Sequence, residues 1–285
     1  MTGPSYDRVV AMGRSRIQHG KANDRVYLMH LEPGDTADLL PRLDALAIRH
    51  GYSKIFAKAP VSALPAFLHA GYREEARVPR FFSGKKDCAF LGKYFDPARA
   101  RDTRATRRRE VLEAALARAA DPSKRPARQL PASFSWNLAG PADANELARL
   151  YQSVFETYPF PIHDPAFIRQ SMKDQTVYGC IRHRGAIAAV SSAEKIESEG
   201  AAEMTDFATL PDHRGRGLAQ VLLRRMEDAM ARQGVRTAYT IARAVSAPMN
   251  KTFASMNYRY GGTLINNTQI CGRLESMNVW YKSLH

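Results

Sequence analysis

The chain has 285 residues, of which 45% are hydrophobic and 25% charged, with a formal net charge of +14. This length and composition suit a globular protein of two modest domains. No apolar run is long enough to span a membrane and residues 1–16 lack the apolar core of a signal peptide, so we expect a soluble, cytoplasmic protein. The three cysteines, Cys88, Cys180 and Cys271, are widely separated, which predicts free thiols and neither a disulfide framework nor a metal site.

Residues 1–96 are predicted to form a small α/β domain. Positions 39, 43, 46 and 47 are apolar and line one side of a helix. The run Phe67-Leu68-His69-Ala70-Gly71-Tyr72 then echoes a run near the C-terminus, Phe253-Ala254-Ser255-Met256-Asn257-Tyr258. The domain is therefore predicted either to repeat part of the C-terminal region or to be an unrelated fold.

Residues 97–132 form a basic junction. Prolines at 97, 122, 126 and 131 bracket it, and residues 97–128 carry an excess of six positive charges. Apolar residues at 111, 112, 115, 116 and 119 fall on one helical face, which predicts an amphipathic helix packed on one domain, followed by a proline-rich tether. Nucleic-acid binding is the alternative for this segment. The segment lacks interleaved aromatic residues and a recognisable reading module, so a helix or linker is favoured.

Residues 133–285 alternate between helical and strand patterns. Helical spacing covers 143–157, and the proline-rich loop 158–165 fits no regular element. The predicted elements that follow are a hairpin of 177–181 and 186–192, a strand at 203–210, a helix at 218–233, a strand at 237–242, a helix at 248–256, and strands at 258–264 and 277–281.

The segment between strand 203–210 and helix 218–233 is the most informative in the chain. It reads Pro211-Asp212-His213-Arg214-Gly215-Arg216-Gly217-Leu218-Ala219. A helix N-terminus offers unpaired N–H groups and a positive dipole, and glycines let an anion approach the backbone, so this segment predicts a phosphate site. A P-loop would end in Gly-Lys-Ser/Thr, and a dinucleotide fold would place an acid near the end of strand 237–242; both features are missing. An ordinary tight turn before a helix is the alternative.

The RxxGxA pattern of residues 214–219, opening a helix after a strand and a Pro-containing turn, resembles the acetyl-CoA signature of the GNAT superfamily of N-acetyltransferases. The resemblance covers residues 133–285. It implies an α/β (α+β) fold with a mixed sheet, a catalytic domain at 133–285, and acetyl-CoA as cosubstrate with no metal. Residues 1–96 would then be a degenerate GNAT-like unit that lacks the signature and binds no CoA.

The same resemblance implies a set of CoA contacts. The diphosphate would lie against Arg214, Gly215, Arg216, Gly217, Leu218 and Ala219, and the thioester carbonyl against backbone N–H groups of Ala208, Thr209 and Leu210. Asn250 matches the GNAT asparagine that contacts the pantetheine arm. Many GNATs carry a tyrosine where this chain has Phe253, so the leaving thiolate would depart unassisted or receive a proton from Tyr281 or Tyr239.

Acetyl transfer to an amine requires its neutral form, and a lysine-type amine has a pKa of about 10.4. A carboxylate beside a partly desolvated amine meets this need. Glu203 and Asp206 lie on the strand that leads into the phosphate segment, and we expect Asp206 to be the base or the substrate anchor, with Glu203 second. Strand alternation places the two on opposite faces unless a bulge resets the phase.

Further stretches resemble one GNAT family over nearly the whole chain. They are residues 16–20, 23–25, 203–206, 261–267 and 274–281. The family is β-lysine Nε-acetyltransferase, the partner of lysine 2,3-aminomutase in making the compatible solute Nε-acetyl-β-lysine. The implied acceptor residues are Tyr158, His163, Asp206, Asn266, Asn267, Arg273 and Glu275. The alternatives are a GNAT enzyme that acetylates another small amine or a protein amine, and a basic nucleic-acid-binding protein with an inert acyl-CoA fold. Assembly as a homodimer is left open.

Overall fold

The computed structural model describes residues 6–121 and 129–284. Its N-terminal half, residues 6–94, contains six strands and two helices. In chain order they are β1 (Arg8–Met12), β2 (Ser15–Gly20), β3 (Arg25–His30), α1 (Thr36–His50), β4 (Lys54–Pro60), α2 (Leu64–His69), β5 (Arg73–Phe82) and β6 (Lys86–Tyr94).

A single helix, α3 (Ala105–Ala120), connects this half to the C-terminal half, residues 134–283. The C-terminal elements are β7 (Phe134–Leu138), α4 (Ala144–Val154), α5 (Pro165–Lys173), β8 (Thr176–His183), β9 (Ala186–Ile196), β10 (Ala201–Thr209), α6 (Leu218–Arg232), β11 (Thr237–Arg243), α7 (Ala247–Ser255), β12 (Arg259–Ile270) and β13 (Arg273–Ser283). The predicted mixed α/β fold is confirmed.

The strands of the described residues form one sheet in the order β1-β2-β3-β4-β6-β5-β12-β13-β11-β10-β9-β8-β7. Both halves use the same plan. In each half, three consecutive antiparallel strands, β1–β3 or β8–β10, lead through a helix to a strand parallel to the last of the three, β4 or β11. The final strand of each half, β6 or β13, lies between that parallel strand and β5 or β12. The C-terminal half has β7 as an additional antiparallel edge strand. This repeated topology supports the interpretation of the N-terminal half as a degenerate GNAT-like unit, which stays a prediction together with the proposed domain boundaries.

The core places different side chains on the two faces of the N-terminal strands. Ile17, Val26, Leu28 and Ala57 pack with helix α1. Alternate residues on the opposite face, among them Tyr27 and Phe56, join a cluster with Tyr239, Met277 and Val279 of the C-terminal half. The two halves therefore share a packed interior. The cavity described below lies beside this cluster.

The predicted apolar stripe of helix α3 is buried only in part: Leu112 and Ala115 pack into the core of the C-terminal half against α7, whereas Leu116 is 45% exposed. Two of its arginines are paired with acids: Arg108 Nε lies 2.7 Å from Asp102 Oδ2 and Arg107 Nη1 lies 3.1 Å from Glu110 Oε2. The predicted proline-rich tether falls largely on residues 122–128, outside the described residues. Within the described part of the chain, no helix has the length and apolar character needed to cross a membrane.

Helix α5 was missed by the sequence analysis, although its start carries a standard signal. Pro165 occupies the first turn and the Asp164 carboxylate accepts a hydrogen bond of 2.8 Å from the Ala166 N–H. Most other predicted elements match. The exceptions are β9, β12 and β13, which extend beyond their predicted bounds, and the extension of β9 affects the site directly.

Candidate active site

The segment between β10 and α6 forms a cradle of backbone N–H groups. Gly215 and Gly217 adopt positive φ angles of 77° and 73°, and Gly217 is the N-cap of α6. The carbonyl of Gly217 accepts hydrogen bonds from Gln220 and Val221. Among the described residues, no hydrogen bond engages the N–H groups of residues 215–219. These groups and the helix dipole make the segment suited to binding a diphosphate.

Strands β10 and β11 separate next to this cradle. They pair only from Ala201 and Thr237 to Glu203 and Tyr239, although both strands continue for several residues. β10 remains paired with β9, and β11 with β13. The result is a gap between the two strands that an extended chain could enter.

A β-bulge in β10 places Asp206 in the site. The register against β9 shifts between Thr205 and Ala208, and Asp206 has a φ of 53°. Left-handed backbone is uncommon outside glycine, although aspartate tolerates it better than most residues. The bulge considered in the sequence analysis is therefore present, and it shifts the alternation of side chains along β10. As a result Glu203 and Asp206 line the same cavity.

That cavity has a volume of about 460 Å³ and walls from both halves of the chain. The C-terminal half contributes acids and aromatic residues, including Glu194, Glu203, Asp206, Tyr158 and Tyr239. The N-terminal half contributes Arg14, Arg16, Arg25, Tyr27, Met29, His30, Phe56 and Lys58. The site is thus bipolar, with carboxylates on one side and cations on the other.

Three carboxylates form the acidic side. Glu203 and Glu194 are direct register partners across β10 and β9, and Asp206 lies on the same cavity. Burial, reinforced by Glu203 and Asp206, raises the pKa of Glu194 to about 8. Burial also raises the pKa of Glu203 and of Asp206. Carboxyl groups with raised pKa values are better proton acceptors near neutral pH than ordinary surface acids, and together they attract a cation.

Asp206 is held by three hydroxyl groups. Its Oδ2 accepts a hydrogen bond of 2.5 Å from Ser192 Oγ, and its Oδ1 accepts one from Tyr158 and one of 3.3 Å from Thr205. These donors favour the ionised carboxylate and oppose the effect of burial on its pKa. The contact with Tyr158 brings the predicted proline-rich loop to the site.

Tyr239 lines the cavity, and its hydroxyl accepts a hydrogen bond of 3.1 Å from Lys58 of the N-terminal half. Burial lowers the pKa of Lys58, but the neighbouring Tyr239, Tyr27 and acidic groups outweigh it and raise that pKa well above its ordinary value. Lys58 is therefore a cation that partly balances the three carboxylates. Tyr281, in contrast, packs beside the shared core and is not part of the cavity wall.

Four more predicted acceptor residues lie away from the cavity wall. The Asn266 amide donates to the carbonyls of Arg99 and Arg101, which fixes the start of the connecting segment. Glu275 is fully buried and pairs with Arg104, Arg243 and Arg273. His163 is also outside the wall, and burial lowers its pKa. None of these side chains lines the cavity: the polar atoms of Asn266, Arg273 and Glu275 serve internal contacts, and His163 Nε2 is buried without a hydrogen-bond partner among the described residues. Their contact with the acceptor stays a prediction, whereas Asn267 does line the cavity.

Three predicted CoA residues are also committed to internal contacts. The Leu210 N–H donates to the Ala188 carbonyl at 3.0 Å, so it is not free to hold a thioester carbonyl. Phe253 is buried, with its ring 5.6 Å from Phe207 and 5.1 Å from Tyr258. Asn250 is fully buried, and its amide donates to the carbonyls of Arg243 and Ser246. Its Oδ1 accepts from Asn278 and Trp280 at 2.8 and 2.9 Å.

We predict that Asn250→Ala destabilises the protein by about 2–4 kcal/mol, because the change leaves buried donors and acceptors unpaired. The Kd for acetyl-CoA should change by less than about threefold in the fraction that remains folded. Thermal unfolding and calorimetric titration measure the two quantities. A large loss of CoA affinity with an unchanged unfolding temperature would instead assign Asn250 to cofactor contact.

The sequence analysis missed Glu194 and the whole basic wall. Glu194 follows the predicted end of its strand at residue 192, whereas β9 runs to Ile196. The signal for Arg16 and Arg25 was present, since both lie in the stretches that carried the family resemblance. Without the fold, nothing connected those stretches to a site whose residues lie more than 130 positions away in the sequence. Among the described residues, no cluster of His, Cys, Asp and Glu has an arrangement that could hold a metal ion.

Comparison with known proteins agrees with this geometry. The model of the acetyltransferase (GNAT) family matches residues 145–257, which span α4 to α7. A β-lysine N(6)-acetyltransferase from Methanococcus maripaludis is 36% identical over 97% of this chain and 98% of its own length. The N-acetyltransferase YodP from Bacillus subtilis is 31% identical over 94% of this chain and 95% of its own length.

A second β-lysine N(6)-acetyltransferase, from Methanosarcina mazei, is 28% identical over 88% of this chain and 98% of its own length. The similarity to the Methanococcus maripaludis enzyme covers 97% of this chain and therefore extends over both halves. The protein is an acetyl-CoA-dependent N-acetyltransferase. It belongs to the GNAT superfamily, in the family of the β-lysine N(6)-acetyltransferases.

Proposed function

We propose that this enzyme transfers the acetyl group of acetyl-CoA to the ε-amine of β-lysine, giving Nε-acetyl-β-lysine. The observation that carries the proposal is the bipolar cavity at the end of the β10–β11 gap. β-Lysine has two ammonium groups and one carboxylate, and the cavity offers an acidic side and a basic side. The full-length relatives named for this reaction support the same acceptor.

The chain fits acetyl-CoA through its backbone. Residues 215–219 present unpaired N–H groups where the diphosphate would bind, and exposed Arg214 and Arg216 add positive charge. The gap between β10 and β11 would receive the pantetheine arm and direct it to the cavity. When bound, acetyl-CoA supplies the activated acetyl group. Ala208 lies two residues before Leu210 in the ladder with β9, so its N–H also faces β9. The backbone N–H group of Thr209 is proposed to stabilise charge that develops on the carbonyl oxygen.

Asp206 is the proposed proton acceptor. The ε-ammonium would lie among Glu194, Glu203 and Asp206, and the Asp206 carboxylate would take its proton directly or through water. The neutral amine then forms the new C–N bond while the C–S bond breaks and its electron pair leaves with sulfur. The nitrogen loses its remaining extra proton to the departing thiolate or to water, which gives the neutral amide and CoA thiol. A thiol has a pKa of about 8.5, so the thiolate can leave without a protein acid. This route needs no tyrosine to protonate the leaving thiolate, so it is compatible with Phe253 at the position where many GNATs carry that tyrosine.

Acetylation of a protein amine is the main alternative within enzymes. A protein substrate needs an open groove, whereas residues from both halves and from the loop 158–160 surround this cavity. A small amino acid fits the enclosure better. Nucleic-acid binding by the basic junction is disfavoured, because the ion pairs of Arg107 and Arg108 already neutralise part of its charge.

We expect the purified enzyme to release free CoA from acetyl-CoA fastest with β-lysine in a panel that also contains α-lysine, spermidine and an aminoglycoside. Thiol release gives the rate, and mass spectrometry of the product gives the acetylated nitrogen. A preference of about 10-fold or more in kcat/KM is expected, since the other amines lack the same charge arrangement. No release with β-lysine above the acceptor-free rate would refute the proposal.

The proposal places the enzyme in the cytoplasm, because acetyl-CoA and a free amino acid are both available there. Assembly as a homodimer stays a prediction.

A further inference from the structure

Among the described residues, the basic wall contains one buried guanidinium that forms no ion pair. Six basic side chains line the cavity: Arg14, Arg16, Arg25, His30, Lys58 and Lys195. Arg14 lies near Asp35, His30 contacts Glu199, and Lys195 pairs with Glu197 at 2.8 Å. Arg16 is exposed to solvent, where its charge is hydrated. Lys58 donates to the Tyr239 hydroxyl, and nearby tyrosines and acids favour its charged form. Arg25 is the exception.

Arg25 is buried, with 5% of its surface exposed. In the described part of the chain its hydrogen bonds go to neutral oxygens, the Asn267 carbonyl at 2.5 Å and the Thr268 hydroxyl at 3.1 Å. Its Nε is buried without a partner. Burial lowers the pKa of Arg25 to about 10, and the more distant Tyr27, Asp7 and Glu203 only partly oppose this effect. A buried guanidinium without a carboxylate is unfavourable, and an anionic ligand would remove the penalty.

Asn267 offers the complementary group beside it. Its side chain is 1% exposed and lines the cavity, and its Oδ1 has no hydrogen-bond partner among the described residues. The hydrogen bond from Arg25 to the Asn267 carbonyl keeps the two residues adjacent. The site therefore contains an unpaired donor from the N-terminal half next to an unpaired acceptor from the C-terminal half.

We propose that Arg25 and Asn267 bind the amino acid end of the acceptor. Arg25 receives the carboxylate, and Asn267 Oδ1 accepts a hydrogen bond from the ammonium two carbons away. This inference rests on the proposed function and deepens it: the N-terminal half selects acceptors that carry a carboxylate, while the three acids of the C-terminal half hold the amine that reacts. The degenerate half thus acts as a specificity element.

The test compares acceptors that differ by one group. The compound 1,4-diaminopentane is β-lysine without its carboxyl group, and 6-aminohexanoate is β-lysine without its β-amine. The full-length wild-type enzyme should prefer β-lysine to 1,4-diaminopentane by about 10- to 100-fold in kcat/KM, as expected for a hydrogen-bonded charge pair. Arg25→Gln should lower kcat/KM for β-lysine by about 10- to 50-fold, mainly through KM, and leave the value for 1,4-diaminopentane within about twofold.

Two further variants separate recognition from folding. Arg25→Lys keeps the charge without the planar fork and should show an intermediate loss. Asn267→Ala should weaken the preference for β-lysine over 6-aminohexanoate. Arg42→Gln, on the exposed side of α1, is the matched control and should behave as wild type. Equal losses for β-lysine and 1,4-diaminopentane in Arg25→Gln would overturn the proposal, because they would show a structural effect.

Failure of the proposed function gives a different result from failure of the role proposed for Arg25. In that case β-lysine is not acetylated by the wild-type enzyme, and the same comparison is made with α-lysine and 1,5-diaminopentane, its decarboxylated form. A preference for the carboxylate-bearing acceptor that Arg25→Gln abolishes would support the role of Arg25 without β-lysine. No preference would overturn it.

Discussion

Replacing Asp206 by asparagine is expected to lower kcat/KM for the acceptor by about 100- to 1000-fold, the range typical of a lost general base. The substitution keeps the size of the side chain and can keep contacts with Tyr158 and Ser192, but an amide cannot take a proton. Steady-state thiol release at saturating acetyl-CoA measures the effect. Asp228→Asn, on the exposed face of α6, is the matched control and should retain wild-type activity.

The pH profile supplies a second readout. Because burial raises the pKa of Asp206, the carboxyl group becomes protonated, and activity is lost, as the pH falls through that raised value. Asp206→Asn should lack this acidic limb. If Asp206→Asn retains more than about a third of the activity while Glu203→Gln or Glu194→Gln loses about 100-fold, the proton acceptor is one of those glutamates.

A charge placed in the cradle should abolish most of the affinity for acetyl-CoA. We expect Gly217→Asp to raise the Kd by about 100-fold relative to Gly217→Asn. The two side chains have nearly the same shape, and both tolerate the positive φ of 73° better than other residues. They differ by one negative charge beside the diphosphate, where repulsion amounts to a few kcal/mol at an intermediate dielectric.

Calorimetric titration with CoA measures both affinities, and the difference should shrink at high salt because exposed charges are screened. Thermal unfolding of the two variants shows whether the backbone tolerates the change equally. Equal Kd values for the aspartate and asparagine variants would place the diphosphate elsewhere.

The C-terminal fold was predictable because its signals are local. The apolar period of α6, the turn at residues 183–185 and the RxxGxA segment each depend on neighbouring residues, and the structure confirms them. The ends of strands were less predictable, since pairing with a partner strand decides where a strand stops. Glu194 was missed for this reason, as β9 continues opposite Glu203 beyond its apolar stretch.

The cavity was predicted only in part, because it depends on contacts distant in the sequence. Asp206, Glu203, Tyr158 and Asn267 line it, and their contact with the acceptor stays a prediction. The ion pairs of Glu275 could not be anticipated, because Arg104 lies 171 positions away. The same limit applies to Arg25, whose contact with Asn267 spans 242 positions. Charges in a sequence indicate a binding site only once the fold shows which of them are already paired.

The Gly261-Gly262 step has a consequence for the choice of acceptor. Gly262 bridges β12 to Ala76 of β5, where the two halves of the sheet meet. A side chain at Gly261 would lie 2.6 Å from the Arg77 carbonyl oxygen, and one at Gly262 would lie 2.6 Å from the Ala76 Cα. The close backbone approach of β12 to β5 therefore fixes the distance between the two halves of the sheet. Because the proposed carboxylate and amine sites lie on different halves, these two glycines set the length of acceptor that can contact both sites at once.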